Sequence, residues 1–187
     1  MKYCSSCGHP VEHRVPAGDN RHRHICPSCK TIHYQNPRIV AGTVPVWQNQ
    51  ILLCRRAIEP RYGYWTLPAG FMENAETTDE AAARETLEEA LADVIIEQLY
   101  TVIHVPHIDQ VHIFYRATMK SAEHGAGEES LETRLFSPAE IPWDEISFPT
   151  VRRTLEHFVD DMEQRSFPVR VSDIRHPLRE ETGKTSE

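Results

Sequence analysis

The run from Gly70 to Glu89, GFMENAETTDEAAARETLEE, limits what this chain can become more than any other stretch. Thr78 to Leu91 is rich in Ala, Glu and Leu, and Thr77, Thr78 and Asp79 offer capping chemistry at its start, so a helix is predicted there. Glu85, Glu88 and Glu89 then fall at i, i+3 and i+4 and project from one face. Clustered carboxylates repel one another, at about a few tenths of a kcal/mol per pair even on an exposed helix. A hard divalent cation such as Mg²⁺, which prefers carboxylate oxygen and keeps several waters, removes that repulsion. A Glu-rich helix can also be no more than a solvated face. Here, however, Gly70, Glu76, Arg84, Glu85, Glu88 and Glu89 sit at set spacing, and a chance match in a chain this long is on the order of 10⁻⁵. The pattern points to a metal site that works on phosphates.

The 187 residues suffice for one good core plus a small module. A formal charge of −8 argues against a broad nucleic-acid footprint. No apolar run approaches the ~20 residues of a membrane span and no signal-peptide pattern opens the chain, so a soluble, cytoplasmic protein without membrane attachment is expected. Four of the five cysteines read Cys4-x2-Cys7-x18-Cys26-x2-Cys29, the spacing of a zinc ribbon in which two knuckles each give two thiolates to Zn²⁺. Two disulfides are the competing reading, which the lack of a secretion signal disfavours. His9, His22 and His24 could substitute as ligands, but four thiolates already complete the shell. Lys2, Arg14, Arg21, Arg23 and Lys30 outnumber Glu12 and Asp19 in the ribbon, an excess that a four-thiolate zinc site offsets. A structural role for the metal is therefore expected. Cys54 lies in an apolar run and reads as a buried core thiol.

Three segments are expected: a ribbon over 1–34, a main domain over 35–167 and a tail over 168–187, polar and disordered beyond Arg179. In the main domain, Arg38 to Trp47 and Gln50 to Ala57 read as strands joined by a tight hairpin at Gln48-Asn49. Glu59 to Tyr64 reads as a loop, and Trp65 to Phe71 leads into the helix. Val94 to Val105, Val111 to Met119 and Glu132 to Phe136 read as further strands. Ser121 to Ser130 is an acidic, glycine-containing loop, and Pro149 to Arg165 an amphipathic helix carrying Val151, Leu155, Phe158, Val159 and Met162. This order fits an α/β fold, an α/β/α sandwich around a mixed sheet. Arg55 and Arg56 end a strand, where one could reach phosphate or both could simply be solvated. Tyr62, Tyr64 and Trp65 could stack on a base or belong to the core. His104, His107 and His112 form no ligand pattern.

The Gly70–Glu89 segment resembles the Nudix box, G-x5-E-x7-R-E-U-x-E-E-x-G-U, where U is bulky and apolar. Thr86 and Ala92 occupy the U positions, and Leu91 stands where the second glycine usually sits. Without that glycine the left-handed cap after the helix is in question, and the helix is expected to run on towards Asp93. The cysteine ribbon, YQNP, LLCRRAIEPRYGYWTLPAGFMENAET and EESLETRLF together are similar to the zinc-ribbon group of this superfamily, which includes plant ADP-ribose/FAD pyrophosphatases. NADH pyrophosphatases carry an SQPWPFPxS-type motif after the box, of which Ile146-Ser147-Phe148-Pro149 is a faint echo.

The resemblance implies a Nudix-type fold and a Mg²⁺- or Mn²⁺-dependent hydrolase of a nucleoside diphosphate linked to X, with ADP-ribose first and FAD second. Glu85 and Glu89 would hold metal with Glu88 close by and the Ala69 backbone carbonyl contributing. Gly70, Glu76 and Arg84 would be structural, Arg84 by pairing with Glu76. The general base would come from the loop holding Glu128, Glu129 and Glu132, with Glu129 the first candidate and Glu132 the second. A homodimer is also implied. The rivals are an NADH pyrophosphatase and a ligand-sensing or RNA-binding module of the same fold, which the intact Glu85, Glu88 and Glu89 disfavour.

Overall fold

The computed structural model describes residues 1–175 and divides into two compact units, one of Met1–Pro37 and the other beginning at Arg38. The first unit therefore closes at Pro37 rather than at 34. The expectation of disorder beyond Arg179 lies outside the described residues.

The first unit has too little apolar surface for a core of its own. Its three short strands β1 (Glu12–Arg14), β2 (Arg23–Ile25) and β3 (Ile32–His33) form an antiparallel sheet in that order. What organises it is a pair of matching turns. Gly8 N–H donates to the Cys4 carbonyl (2.9 Å), and Lys30 N–H donates to the Cys26 carbonyl (3.0 Å). Both Gly8 and Lys30 take positive φ to make this closure.

In the second unit, β4 (Arg38–Trp47) and β5 (Gln50–Arg56) meet through Gln48 and Asn49, both at positive φ (48° and 67°), the requirement of a two-residue hairpin turn that follows strand twist. The expected Trp65–Phe71 run divides around Leu67 and Pro68: β6 (Trp65–Thr66) pairs with β5, and β7 (Ala69–Phe71) pairs with β4. Then follow α1 (Thr78–Ala90), β8 (Val94–Val105), β9 (Gln110–Met119), β10 (Ser130–Phe136), α2 (Pro149–Gln164) and β11 (Arg170–Asp173). The sheet runs β10-β5-β4-β9-β8-β11. It is mixed, since β4 with β9 and β8 with β11 are parallel while the other pairs are antiparallel.

Strand alternation assigns the two faces. Leu52 and Cys54 of β5 pack with Ala90 of α1 and with Ala117 and Met119. Ile51 and Leu53 point the other way and pack with Val151, Leu155 and Phe158 of α2, together with Tyr100 and Phe114. One helix thus covers each face, the expected α/β/α sandwich.

Strand β11 takes 170–173 out of the tail expected over 168–187 and into the sheet. Four residues, RVSD, carry too little pattern to announce a strand; parallel pairing with β8 and an ion pair to α2 fix it instead. The Arg170 guanidinium clasps both oxygens of Asp161, a fully buried α2 carboxylate that also accepts from the Tyr100 hydroxyl at 2.7 Å. Arg153 adds a bond to the Asp173 carbonyl (2.8 Å). A buried carboxylate left without these donors would be costly, so the strand stays docked.

Candidate active site

Helix α1 starts at a capping box: Thr77 Oγ1 accepts from Glu80 N–H, and the Glu80 carboxylate accepts from Thr77 N–H at 2.8 Å. It ends at Ala90. Leu91 itself adopts the left-handed conformation (φ 46°, ψ 31°), its N–H reaching the Leu87 carbonyl at 3.0 Å, so the helix does not run on towards Asp93. The turn that glycine usually makes is made here by a strained leucine.

Arg84 joins Glu85 and Glu88, the charge of Glu85 acts on Glu89, and their neighbours explain the fixed residues around them. A Cβ on Gly70 would lie 2.3 Å from the Glu85 carboxyl carbon, so any other residue there would push that carboxylate off its Arg84 partner. Arg84 binds Glu76 through Nε–Oε2 (3.0 Å) and Nη2–Oε1 (2.8 Å), and its Nη1 donates to Glu85 (2.8 Å) and Glu88 (3.0 Å). Arg84 is therefore spent on holding carboxylates. Glu76 is drawn down to about 2 by the Arg84 guanidinium and by the Glu73 N–H.

Glu89 is only 8 % exposed and accepts from the Ala69 N–H at 3.1 Å. Burial pushes its carboxyl up to about 8 against the pull of that bond, with the charge of Glu85 adding to the rise. Glu85 is raised as well, chiefly by burial. Two carboxyls raised by burial therefore lie beside a third, exposed one on the same helix. Ala69 meets this cluster through its N–H on Glu89.

The acidic loop separates its candidates. Glu129 lies close enough for its charge to act on both Glu85 and Glu89, and its carbonyl is fixed by the Ala57 N–H (2.8 Å). Glu132 instead stands opposite Arg55 across β10 and β5 and pairs with it at 2.9 Å. Arg55, which also donates to the Gly63 carbonyl (2.8 Å), is thereby occupied. Arg56 follows Leu52 and Cys54 in the alternation towards the α1 face, and its charge acts on Glu89. Its guanidinium also lies 5.1 Å from the Phe148 ring. Of the aromatics, Trp65 is a core residue set edge-on to Phe136, whereas Tyr62 is exposed.

In the first unit the ligand atoms of Cys4, Cys7, Cys26 and Cys29 all lie within 4.8 Å of one another. The Cys4–Cys29 and Cys7–Cys26 sulfur separations are 3.6 and 3.4 Å, far beyond a disulfide bond and near the about 3.8 Å edge of a tetrahedral zinc–thiolate site. The cluster fits Zn²⁺. The histidine ring that reaches a cysteine sulfur is that of His33, with Nε2 3.3 Å from Cys4 Sγ, rather than His9, His22 or His24. His13 instead stacks against both His22 and His24.

The comparisons with known proteins agree with this layout. The family description "Nudix N-terminal", a zinc ribbon, matches residues 2–35, and "NUDIX domain" matches 36–158. A Nudix hydrolase of known structure from Nitrosomonas europaea superposes with a TM-score of 0.92 at 48% identity, covering 94% of this chain and 100% of that one. The NAD-capped RNA hydrolase NudC of Edwardsiella ictaluri is 34% identical over 95 residues, 50% of this chain but only 34% of that protein. The ADP-ribose pyrophosphatase of Methanocaldococcus jannaschii is 29% identical over 113 residues, 58% of this chain and 67% of its own length. With its ribbon and its hydrolase domain both matched, this chain belongs to the Nudix family.

Proposed function

We propose that this chain is a divalent-metal-dependent pyrophosphohydrolase that splits a nucleoside diphosphate linked to X into a nucleoside monophosphate and phosphorylated X. The observation that carries this reading is Glu89, buried and held by the Ala69 N–H beside Glu85 and Glu88, with Arg84 pinning the outer carboxylates. Bound there, Mg²⁺ or Mn²⁺ would neutralise diphosphate oxygens and lower the pKa of a coordinated water. Glu85 and Glu89 would hold it, with Glu88 alongside. Glu129, facing them from the loop, would take the proton of the attacking water. Arg56 is the residue proposed to meet phosphate, since Arg55 is engaged by Glu132.

ADP-ribose is proposed as the first substrate and FAD as the second. A dinucleotide reading, NADH or an NAD-capped end, draws equal support from the relative that hydrolyses NAD-capped RNA. It also gains from Phe148, in the faint SFP echo, lying under the Arg56 guanidinium. All these candidates share an ADP moiety, so the reading commits to ADP linked to X. The test is a panel of ADP-ribose, FAD, NADH and NAD-capped RNA with Mg²⁺, the products identified by mass. AMP from ADP-ribose, FAD or NADH, or 5′-monophosphate RNA plus NMN from the capped RNA, supports the reading. Cleavage of none, with tight RNA binding at physiological salt, would favour a binding module instead.

A further inference from the structure

The last turn of a helix leaves carbonyls without intrahelical donors. On α1, the Leu91 N–H serves Leu87, and the acidic loop supplies the next donors. Gly125 N–H bonds the Ala90 carbonyl at 2.8 Å, and Gly127 N–H bonds the Glu89 carbonyl at 3.1 Å. Beyond Gly127 the loop is closed by Ser130 N–H on the Gly127 carbonyl (3.1 Å) and by Ala57 N–H on the Glu129 carbonyl (2.8 Å). Glu129 is thus suspended between a tie to the helix that carries Glu85 and Glu89 and a tie to the chain just after β5.

The closeness of the first tie explains its residue. A Cβ on Gly127 would lie 1.7 Å from the Glu88 carbonyl oxygen and 2.8 Å from its carbon, both backbone atoms that cannot swing aside. Gly127 is not at positive φ, so glycine is required here for space alone. A Cβ on Gly125 would meet only the Leu91 side chain, at 3.3 Å, which can yield.

We propose that Gly127 is a positioning residue: it straps the acidic loop to the end of α1 and so fixes the Glu129 carboxylate relative to Glu85 and Glu89. The inference rests on the role given to Glu129 above. The strap couples the base to the metal-binding helix, so the two move as one piece.

The test is a double-variant cycle on the full chain, using whichever of ADP-ribose, FAD and NADH it hydrolyses with Mg²⁺. Gly127→Ala is expected to lower kcat by about 10²-fold, the scale set by misplacing a reacting group by about 1 Å. KM is expected to stay within about threefold, since a misplaced base slows the chemical step rather than weakening substrate binding. If Gly127 acts through Glu129, Gly127→Ala/Glu129→Gln is no slower than Glu129→Gln alone. Losses that multiply would overturn the strap, as would a Gly127→Ala enzyme as fast as the unmutated one. Should Gly127→Ala not fold, Gly125→Ala enters the same cycle, with a loss of about 3- to 10-fold expected from its milder contact and the same non-additivity required. An unimpaired Glu129→Gln, or no turnover by the unmutated chain, would instead remove the base assignment on which the strap depends.

Discussion

Arg84 grips Glu76 with two parallel hydrogen bonds, Nε to Oε2 at 3.0 Å and Nη2 to Oε1 at 2.8 Å, while its remaining Nη1 protons reach Glu85 and Glu88. One guanidinium therefore anchors the approach to α1 and balances two members of the carboxylate cluster. The planar fork is what makes this possible, and a lysine has no equivalent.

Arg84→Lys is expected to lower kcat/KM by at least about tenfold and to raise the Mg²⁺ concentration for half activity, because one ammonium cannot hold Glu76, Glu85 and Glu88 together. Steady-state kinetics across a Mg²⁺ series reads both. The same variant should unfold at higher pH on acidification. Glu76 is held at about 2 when folded, so its contribution is complete above the ordinary carboxylate pKa of about 4.3 and fades as pH falls through about 2. Without the fork it fades earlier.

Glu89→Gln should abolish turnover yet stabilise the chain in magnesium-free buffer. The Glu89 pKa is raised to about 8 by burial, so folding favours its protonated form. Its favourable contribution is complete below about 4.3 and is lost as pH rises through about 8. The gain in Tm for Glu89→Gln over the unmutated chain is thus expected to be larger at pH 9 than at pH 5. An equal gain at both pH values would show that Glu89 does not resist ionisation.

Leu91→Gly should stabilise modestly. A left-handed leucine costs roughly 1–2 kcal/mol, of which glycine's extra freedom in the unfolded chain takes back about 0.5–1. A net gain of about 0.5–1 kcal/mol is expected, read as a small rise in the urea midpoint with an unchanged m-value. A fall in the midpoint would mean that the Leu91 side chain, 55 % exposed, contributes more than its strain costs.

Metal analysis of the purified chain should find one zinc, and Cys26→Ser should lose it, since Cys26 is fully buried among the four thiols. Retention of zinc by that variant would point to His33, already 3.3 Å from Cys4 Sγ, as a replacement ligand.

What the sequence discloses here is what repeats locally. Helix α1, strands β4, β5 and β8, the Gln48–Asn49 turn and the ribbon thiols follow from spacing, alternation and capping, and the Arg84–Glu76 pair from the box. What stays hidden depends on contacts between distant residues. Strand β11 exists because 170–173 pair with 101–104 of β8, far earlier in the chain, Glu132 is drawn to Arg55 by the β10–β5 register, and Gly127 matters because a loop happens to cross the end of α1. The left-handed Leu91 was hidden for another reason: propensity argues for a longer helix, and the Glu89 and Ala90 carbonyls, capped from the loop by Gly127 and Gly125, override it.

The most direct test of the account is AMP release from ADP-ribose and NADH, with and without Mg²⁺, by the unmutated chain and by Glu89→Gln. The account requires AMP from at least one substrate, only with the metal, and a loss of about 10²-fold or more in the variant. Metal-independent release, or an undiminished rate in Glu89→Gln, would contradict a carboxylate-held metal as the centre of this site.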